Sequence, residues 1–171
     1  MASHFDLPPS PWVQRWAGLI RPGGAVLDVA AGSGRHARLL ARMGFEVDAV
    51  DRDASLFNDP PPQVAVLEAD LEAGPWPYKG RKFDAVVVAN YLHRPLFPIL
   101  VDSLERGGVL VYETFAVGNE RFGKPSNPAF LLAPGELLEA VRGKLRVIAY
   151  EDLVVDQPRP AAVQRLAARS E

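Results

Sequence analysis

The stretch Val26-Leu27-Asp28-Val29-Ala30-Ala31-Gly32-Ser33-Gly34-Arg35-His36-Ala37 decides the fold. It opens in an apolar run, Ala25 to Val29, which has the length of a strand and carries an acid near its end. Glycines at 32 and 34 then break the run. They permit a tight turn and leave the backbone bare enough for a ligand to approach closely. From Arg35 to about Met43 the pattern becomes helical, and Gly44 supplies the left-handed residue that stops such a helix. The N–H groups at the start of that helix have no partner within it, so they suit a carboxylate or a phosphate. A strand, a glycine corner and a helix in this order open an α/β sheet that takes its ligand at the strand tips.

Upstream, Ser10 offers an N-cap hydroxyl and Pro11 fits the first helical position. Trp12, Trp16, Leu19 and Ile20 recur at helical spacing, so residues 1–24 are expected to hold an N-terminal helix that ends near Arg21, after a frayed start over residues 1–9. Downstream, Phe45 to Val50 reads as a second strand ending at Asp51, and Val64 to Glu68 as a third ending near Asp70. Between them, Asn58-Asp59-Pro60-Pro61-Pro62 leaves room for no more than about one turn of helix. Phe83 to Ala89 is a fourth strand, and its unbroken apolar run implies burial on both faces. Leu96, Ile99, Leu100 and Leu104 mark the inward face of a helix, and Val109 to Phe115 a fifth strand.

Residues 116–133 lack periodicity and are read as a lid or substrate loop. Pro134 to Val141 is a helix stopped by Gly143. Leu145 to Val155 and Ala161 to Ala167 are strands joined by a loop too short for a parallel crossover, hence an antiparallel hairpin. Five βα units and a hairpin give the expected fold: an α/β, Rossmann-like, open and mostly parallel seven-stranded sheet, with helices on both faces and a reversed C-terminal strand. Residues 1–171 are expected to form one domain. Asp28, Asp51, Asp70, Asn90 and Glu113 all fall at or just beyond strand ends, where such sheets bind ligands.

Composition narrows the function classes. The 171 residues are 48% hydrophobic and 23% charged, as in ordinary globular proteins. There is no cysteine, so disulfides, thiolate metal sites and a cysteine nucleophile are excluded, and no metal is expected. Nineteen basic against 21 acidic residues give a net charge of -2, which predicts no broad nucleic-acid or anionic-membrane surface. Apolar runs such as Ala85 to Ala89 are too short to cross a bilayer, and no signal-peptide pattern opens the chain, so the cytoplasm is the expected location.

The segment Asp28-x-Ala30-x-Gly32-x-Gly34 resembles the first motif of class I S-adenosylmethionine-dependent methyltransferases, an acid followed by three alternating glycines, with Ala30 in place of the first. The order of features through Pro95 is similar too, and in detail it resembles small bacterial members of the ubiquinone-biosynthesis and tellurite-resistance type. The resemblance implies S-adenosylmethionine as cofactor. It implies that Asp28 orders the loop or meets the methionine amine, and that Ala30, Gly32 and Gly34 form the turn bordering the methionine and ribose portions. Asp51 is placed to accept hydrogen bonds from both ribose hydroxyls. Arg52 would border the adenine, Asp70 would meet its amino group, and the Leu71 N–H would meet a ring nitrogen. Asn90 would lie near the methionine end, and Tyr91 would stack or hydrogen-bond near the reacting centre.

His93 is a candidate base because its pKa lies near neutrality, and Tyr91 is the other catalytic candidate. A soft or ionised acceptor needs neither, because holding donor and acceptor in line carries much of the reaction. With no inserted domain, the expected acceptor is a small molecule. Arg121 and Lys124 are candidates for receiving an anionic one, and Glu113 and Thr114 for reaching it. Trp12 and Trp16 are either core residues or walls of the pocket.

Two other functions fit part of the pattern. Gly32-x-Gly34-x-x-Ala37 with Asp51 partly matches the fingerprint of an NAD-dependent oxidoreductase, but it leaves Asp70 and Asn90 without a role. A non-catalytic S-adenosylmethionine-binding subunit is compatible with the absence of an obvious catalyst.

Overall fold

In the computed structural model, which describes residues 7–171, the run Ala25–Val29 is strand β1, buried at every position except its first. It pairs in parallel with β2 (Glu46–Asp51) on one side and β4 (Phe83–Ala89) on the other. β3 (Val64–Glu68) lies outside β2, and β5 (Leu104–Phe115) outside β4, both parallel. β7 (Ala161–Arg169) runs antiparallel between β5 and β6 (Arg146–Val155). The order β3-β2-β1-β4-β5-β7-β6 is that of the expected seven-stranded sheet with its reversed last strand. The direction of strand addition switches between β1 and β4, and a crevice opens at such a point.

Alternation along the strands sorts side chains into two layers. Val87, Val109 and Val111 pack with Trp12 and Val13 of α1 (Pro11–Trp16) and with Ala37 and Leu40 of α2 (Arg35–Arg42). Val86, Val88 and Leu110 pack with Leu100 of α3 (Phe97–Asp102) and with Leu137 and Val141 of α4 (Glu136–Val141). Both faces are therefore covered, which is why β4 reads as continuous apolar sequence.

The expected five βα units reduce to three. Only a 3-10 turn, Ala54–Leu56, follows β2, and no helix follows β3. Pro60, Pro61 and Pro62 offer no N–H to a helix. After β3, the edge-to-face chain Trp76–Tyr78–Phe83, with ring centroids 5.7 and 5.5 Å apart, fills the layer where a helix would pack. Leu104 is strand rather than helix. α3 ends two residues early, at Asp102, where the Ser103 hydroxyl donates to the Ile99 carbonyl at 2.7 Å. Leu104 still points into the core, so its spacing served either reading. α4 begins at Glu136 rather than Pro134, because Gly135 stands at its N-cap in the left-handed region, φ +74°.

The N-terminal helix is clamped down. Ser10 Oγ accepts from Trp12 and Val13 N–H, and the Ser10 N–H donates to the buried His36 Nε2 at 2.9 Å. Trp12 Nε1 donates to the Leu166 carbonyl on β7 at 3.1 Å. Trp12 is thus core, not pocket wall. The frayed start expected for residues 1–9 falls mostly on residues 1–6, outside those described. No helix among the described residues is long and apolar enough to cross a membrane.

Candidate functional site

Parallel strands end on one edge, so β1, β2, β3 and β4 deliver their last residues to a common crevice. A cleft of about 900 Å³ lies there, within the usual range of about 300–1,000 Å³ for small-molecule sites. Ala30, Asp51, Arg52, Asp70, Leu71, Asn90 and Tyr91 all line it. Gly32, Gly34, Asp28 and His93 do not.

The residues just after β1 and β4 are strained. Ala30 has φ +55° and Asn90 φ +56°, a region that residues other than glycine avoid at a cost of about 1–3 kcal/mol. Both flank the switch point, where the sheet over-determines them. The Asn90 N–H is held by the Glu113 carbonyl at 2.9 Å, and the Tyr91 carbonyl accepts from the buried Tyr112 hydroxyl at 2.8 Å. Strained backbone maintained at two adjacent strand tips marks a ligand site more than a folding need.

Asp51 braces the glycine corner. Its Oδ2 accepts from the Gly32 N–H at 2.9 Å and its Oδ1 from the Asp53 N–H at 3.0 Å. Each carboxylate oxygen has further accepting capacity, so the residue remains available to a diol in the cleft. Gly34, φ +84°, is packed from beneath by the Phe57 ring, so closely that a Cβ there would stand 2.3 Å from the nearest ring carbon. Gly32 has open space at the same position, so its need for glycine is conformational alone, φ +56°.

Asp28 lies buried behind the turn, with its Oδ2 lacking any partner among the described residues. Burial pushes its carboxyl up to about 7, against the Ala37 N–H and the Arg35 charge, which both lower it. A buried acid oxygen left without a partner calls for a donor. Asp70 is exposed and caps its own turn, Oδ1 accepting from Glu72 and Ala73 N–H at 2.9 and 3.0 Å. Those bonds hold its pKa below the ordinary carboxylate value. It still lines the cleft beside Leu71.

The two catalytic candidates differ. Tyr91 lines the cleft, but burial, with Glu72, Asp70 and Asp51 nearby, pushes its hydroxyl up to about 12. It is therefore a proton donor in hydrogen bonds at neutral pH and a poor base. His93, two residues further on in extended backbone, has its Nδ1 3.2 Å from Glu72 Oε1, and Glu72 itself lines the cleft.

The opposite wall comes from chain well beyond β4. Thr114 and Phe115 at the end of β5, Lys124 to Asn127 and Phe130 from the loop, and Arg159 from the β6–β7 turn all line it. Arg121 does not: it donates to the Gly118 carbonyl at 3.2 Å and lies over the Phe122 ring. Glu113 is buried and paired with Arg165, which also reaches Glu151. Sequence reasoning missed Glu72, Phe115, Ser126 and Arg159 as wall residues. Arg159 sits in a proline-flanked turn with no local mark of function, and only the hairpin's position brings it to the cleft.

Comparison with known proteins agrees with the fold. Residues 26–106 match a family model described as a methyltransferase domain. Over 77 residues the chain is 40% identical to protein-L-isoaspartate O-methyltransferase of Methylorubrum extorquens (strain PA1), covering 41% of this chain and 33% of that one. The chain thus spans about a third of the length of that curated relative. Among solved structures, TehB from Haemophilus influenzae superposes with a TM-score of 0.78 at 16% identity, over 95% of this chain and 63% of that one. The glycopeptide N-methyltransferase MtfA, solved with (S)-adenosyl-L-homocysteine, superposes with a TM-score of 0.68 at 20% identity, over 100% of this chain and 93% of that one. At these identities the two structures speak for the fold alone.

Proposed function

We propose that this chain, which belongs to the class I S-adenosylmethionine-dependent methyltransferase superfamily, transfers a methyl group from S-adenosylmethionine to a small-molecule acceptor in the cytoplasm, with no membrane or nucleic acid as partner. The carrying observation is convergence: seven residues from the tips of four strands meet in one cleft across the β1/β4 switch, two of them held at positive φ.

The residues present fit the cofactor. Asp51 offers carboxylate oxygens to a ribose diol from a side chain already fixed by Gly32. Ala30 and Asn90, forced into the left-handed region, turn their backbones at the cleft where the methionine portion would pass. The partnerless Asp28 Oδ2 lies behind the turn and outside the cleft lining, so the methionine ammonium would reach it through water. Leu71 and Arg52 border the space left for an adenine.

When bound, S-adenosylmethionine supplies an electrophilic methyl carbon on a positively charged sulfur. Held by Asp51 and by the Ala30 and Asn90 backbones, that carbon would be open to the acceptor's lone pair, with the S–C electron pair left on sulfur. The protein's part is to hold the two partners in line and exclude water, which carries much of the rate in such transfers. Tyr91 keeps its proton and orients through a hydrogen bond. An acceptor atom that carries a proton loses it to water or to Glu72, the lining carboxylate that His93 contacts from outside the cleft.

Calorimetric titration with S-adenosylhomocysteine tests the reading. The wild type is expected to bind, and Asp51→Ala to bind at least tenfold more weakly, since each lost hydrogen bond to a charged group is worth about 1.5–3 kcal/mol. Heat with NAD and none with S-adenosylhomocysteine rejects it.

A further inference from the structure

The cleft is electrically polarised along its length. Its acids, Asp51, Asp70 and Glu72, all stand at the β2 and β3 end, with Arg52 among them. The far wall carries no acid and two cations, Lys124 from the loop after β5 and Arg159 from the β6–β7 turn. Neither cation takes part in an ion pair among the described residues. They come from segments far apart in sequence, so their meeting on one wall is not a by-product of a local charge run.

The backbones that carry them are pinned. Asn119, a buried polar residue of the loop after β5, donates from Nδ2 to the Pro125 carbonyl at 2.9 Å and accepts at Oδ1 from the Ala162 N–H at 3.1 Å. One side chain thereby ties the segment after Lys124 to the strand that follows Arg159. Arg94 holds the same loop from the other side, donating to the Ala129 and Leu131 carbonyls at 3.1 and 2.9 Å. A buried amide thus links the two segments that carry the cations.

We propose that Lys124 and Arg159 together receive an anionic group of the methyl acceptor. This rests on the methyl-transfer reading and deepens it. The substrate class is a small molecule bearing a carboxylate or another oxyanion, with an apolar body lying against Tyr91, Phe115 and Phe130. A planar guanidinium grips two oxygens of such a group, while an ammonium acts on it as a point charge. The acids at the other end repel the same anion, so the field along the cleft fixes which way round the acceptor enters.

The test uses the full chain, labelled methyl donor and a metabolite extract split on an anion exchanger at pH 7. Label is expected in the products of the retained fraction. Lys124→Ala and Arg159→Ala are each expected to raise, about tenfold or more, the amount of that fraction giving half-maximal rate. The maximal rate and S-adenosylhomocysteine affinity should stay near wild type, and Arg159→Lys should recover part of the loss. Label confined to the unretained fraction overturns the anionic acceptor and leaves methyl transfer standing. No label in either fraction, from protein that binds S-adenosylhomocysteine, overturns both. Variants that weaken S-adenosylhomocysteine binding as much as transfer assign the cations to the cofactor, which also overturns the proposal.

Discussion

Gly34→Ala tests whether the glycine corner is built on the Phe57 ring. The new Cβ would stand 2.3, 2.4 and 2.6 Å from three carbons of that ring, and the backbone there has φ +84°. Phe57 has little room to retreat: it is 6% exposed, and the Arg38 guanidinium lies 4.7 Å from its centroid. Two costs add. A left-handed alanine costs about 1–2 kcal/mol, and forcing an extra methyl into packed surroundings about 1–3 kcal/mol, so the expected loss is about 2–5 kcal/mol. Phe57→Ala removes a buried ring, at about 3–5 kcal/mol. In that background the clash is gone, and Gly34→Ala should cost only the backbone part, about 1–2 kcal/mol. Urea unfolding of the wild type, both single variants and the double variant closes a double-mutant cycle, with an expected coupling of about 1–3 kcal/mol in the direction of rescue. If Gly34→Ala costs as much without the ring as with it, the ring contact is not what requires glycine, and the reasoning is refuted.

Two titrating groups give further predictions with opposite signs. Asp28, raised to about 7 by burial, keeps its proton in the folded state over a range where the unfolded chain has released it, so stability should fall as pH rises from about 4 to 7. Asp28→Asn should flatten that slope in thermal melts across the range, and an unchanged slope would show that Asp28 ionises freely. His36, lowered to about 3 by burial and then by Arg35, stays neutral when folded, while the unfolded chain takes up a proton below about 6.5. Its contribution is therefore present above pH 6.5 and lost as pH falls toward 3. His36→Ala should cost about 1–3 kcal/mol at pH 7 by leaving the buried Ser10 N–H unpaired, and should shrink the acid-side loss in urea unfolding at pH 7 and 4.5. An equal loss of stability at both pH values, with the wild-type acid dependence retained, would refute this role.

What the sequence determined by itself is whatever local backbone chemistry writes. Glycines at 32 and 34 announced a turn, and both stand at positive φ. The β4 run announced burial on both faces, and the short 156–160 link announced the reversed strand. Asp28, Asp51, Asp70, Asn90 and Glu113 were legible as strand-tip residues because parallel strands end on one edge whatever their side chains; the cleft holds Asp51, Asp70 and Asn90, while Asp28 and Glu113 are buried outside its lining. Tertiary structure decided what depends on distant partners. It replaced a helix after β3 by the Trp76–Tyr78–Phe83 stack, and set Asp70 to capping its own turn. It also chose Arg159 over Arg121 as the companion of Lys124 in the cleft wall. Turn and strand signals act over a few neighbouring residues and survive in a one-dimensional reading. Which charge faces which cavity is set by packing between segments remote in the chain, such as the Asn119 link to Ala162, and no local pattern records it.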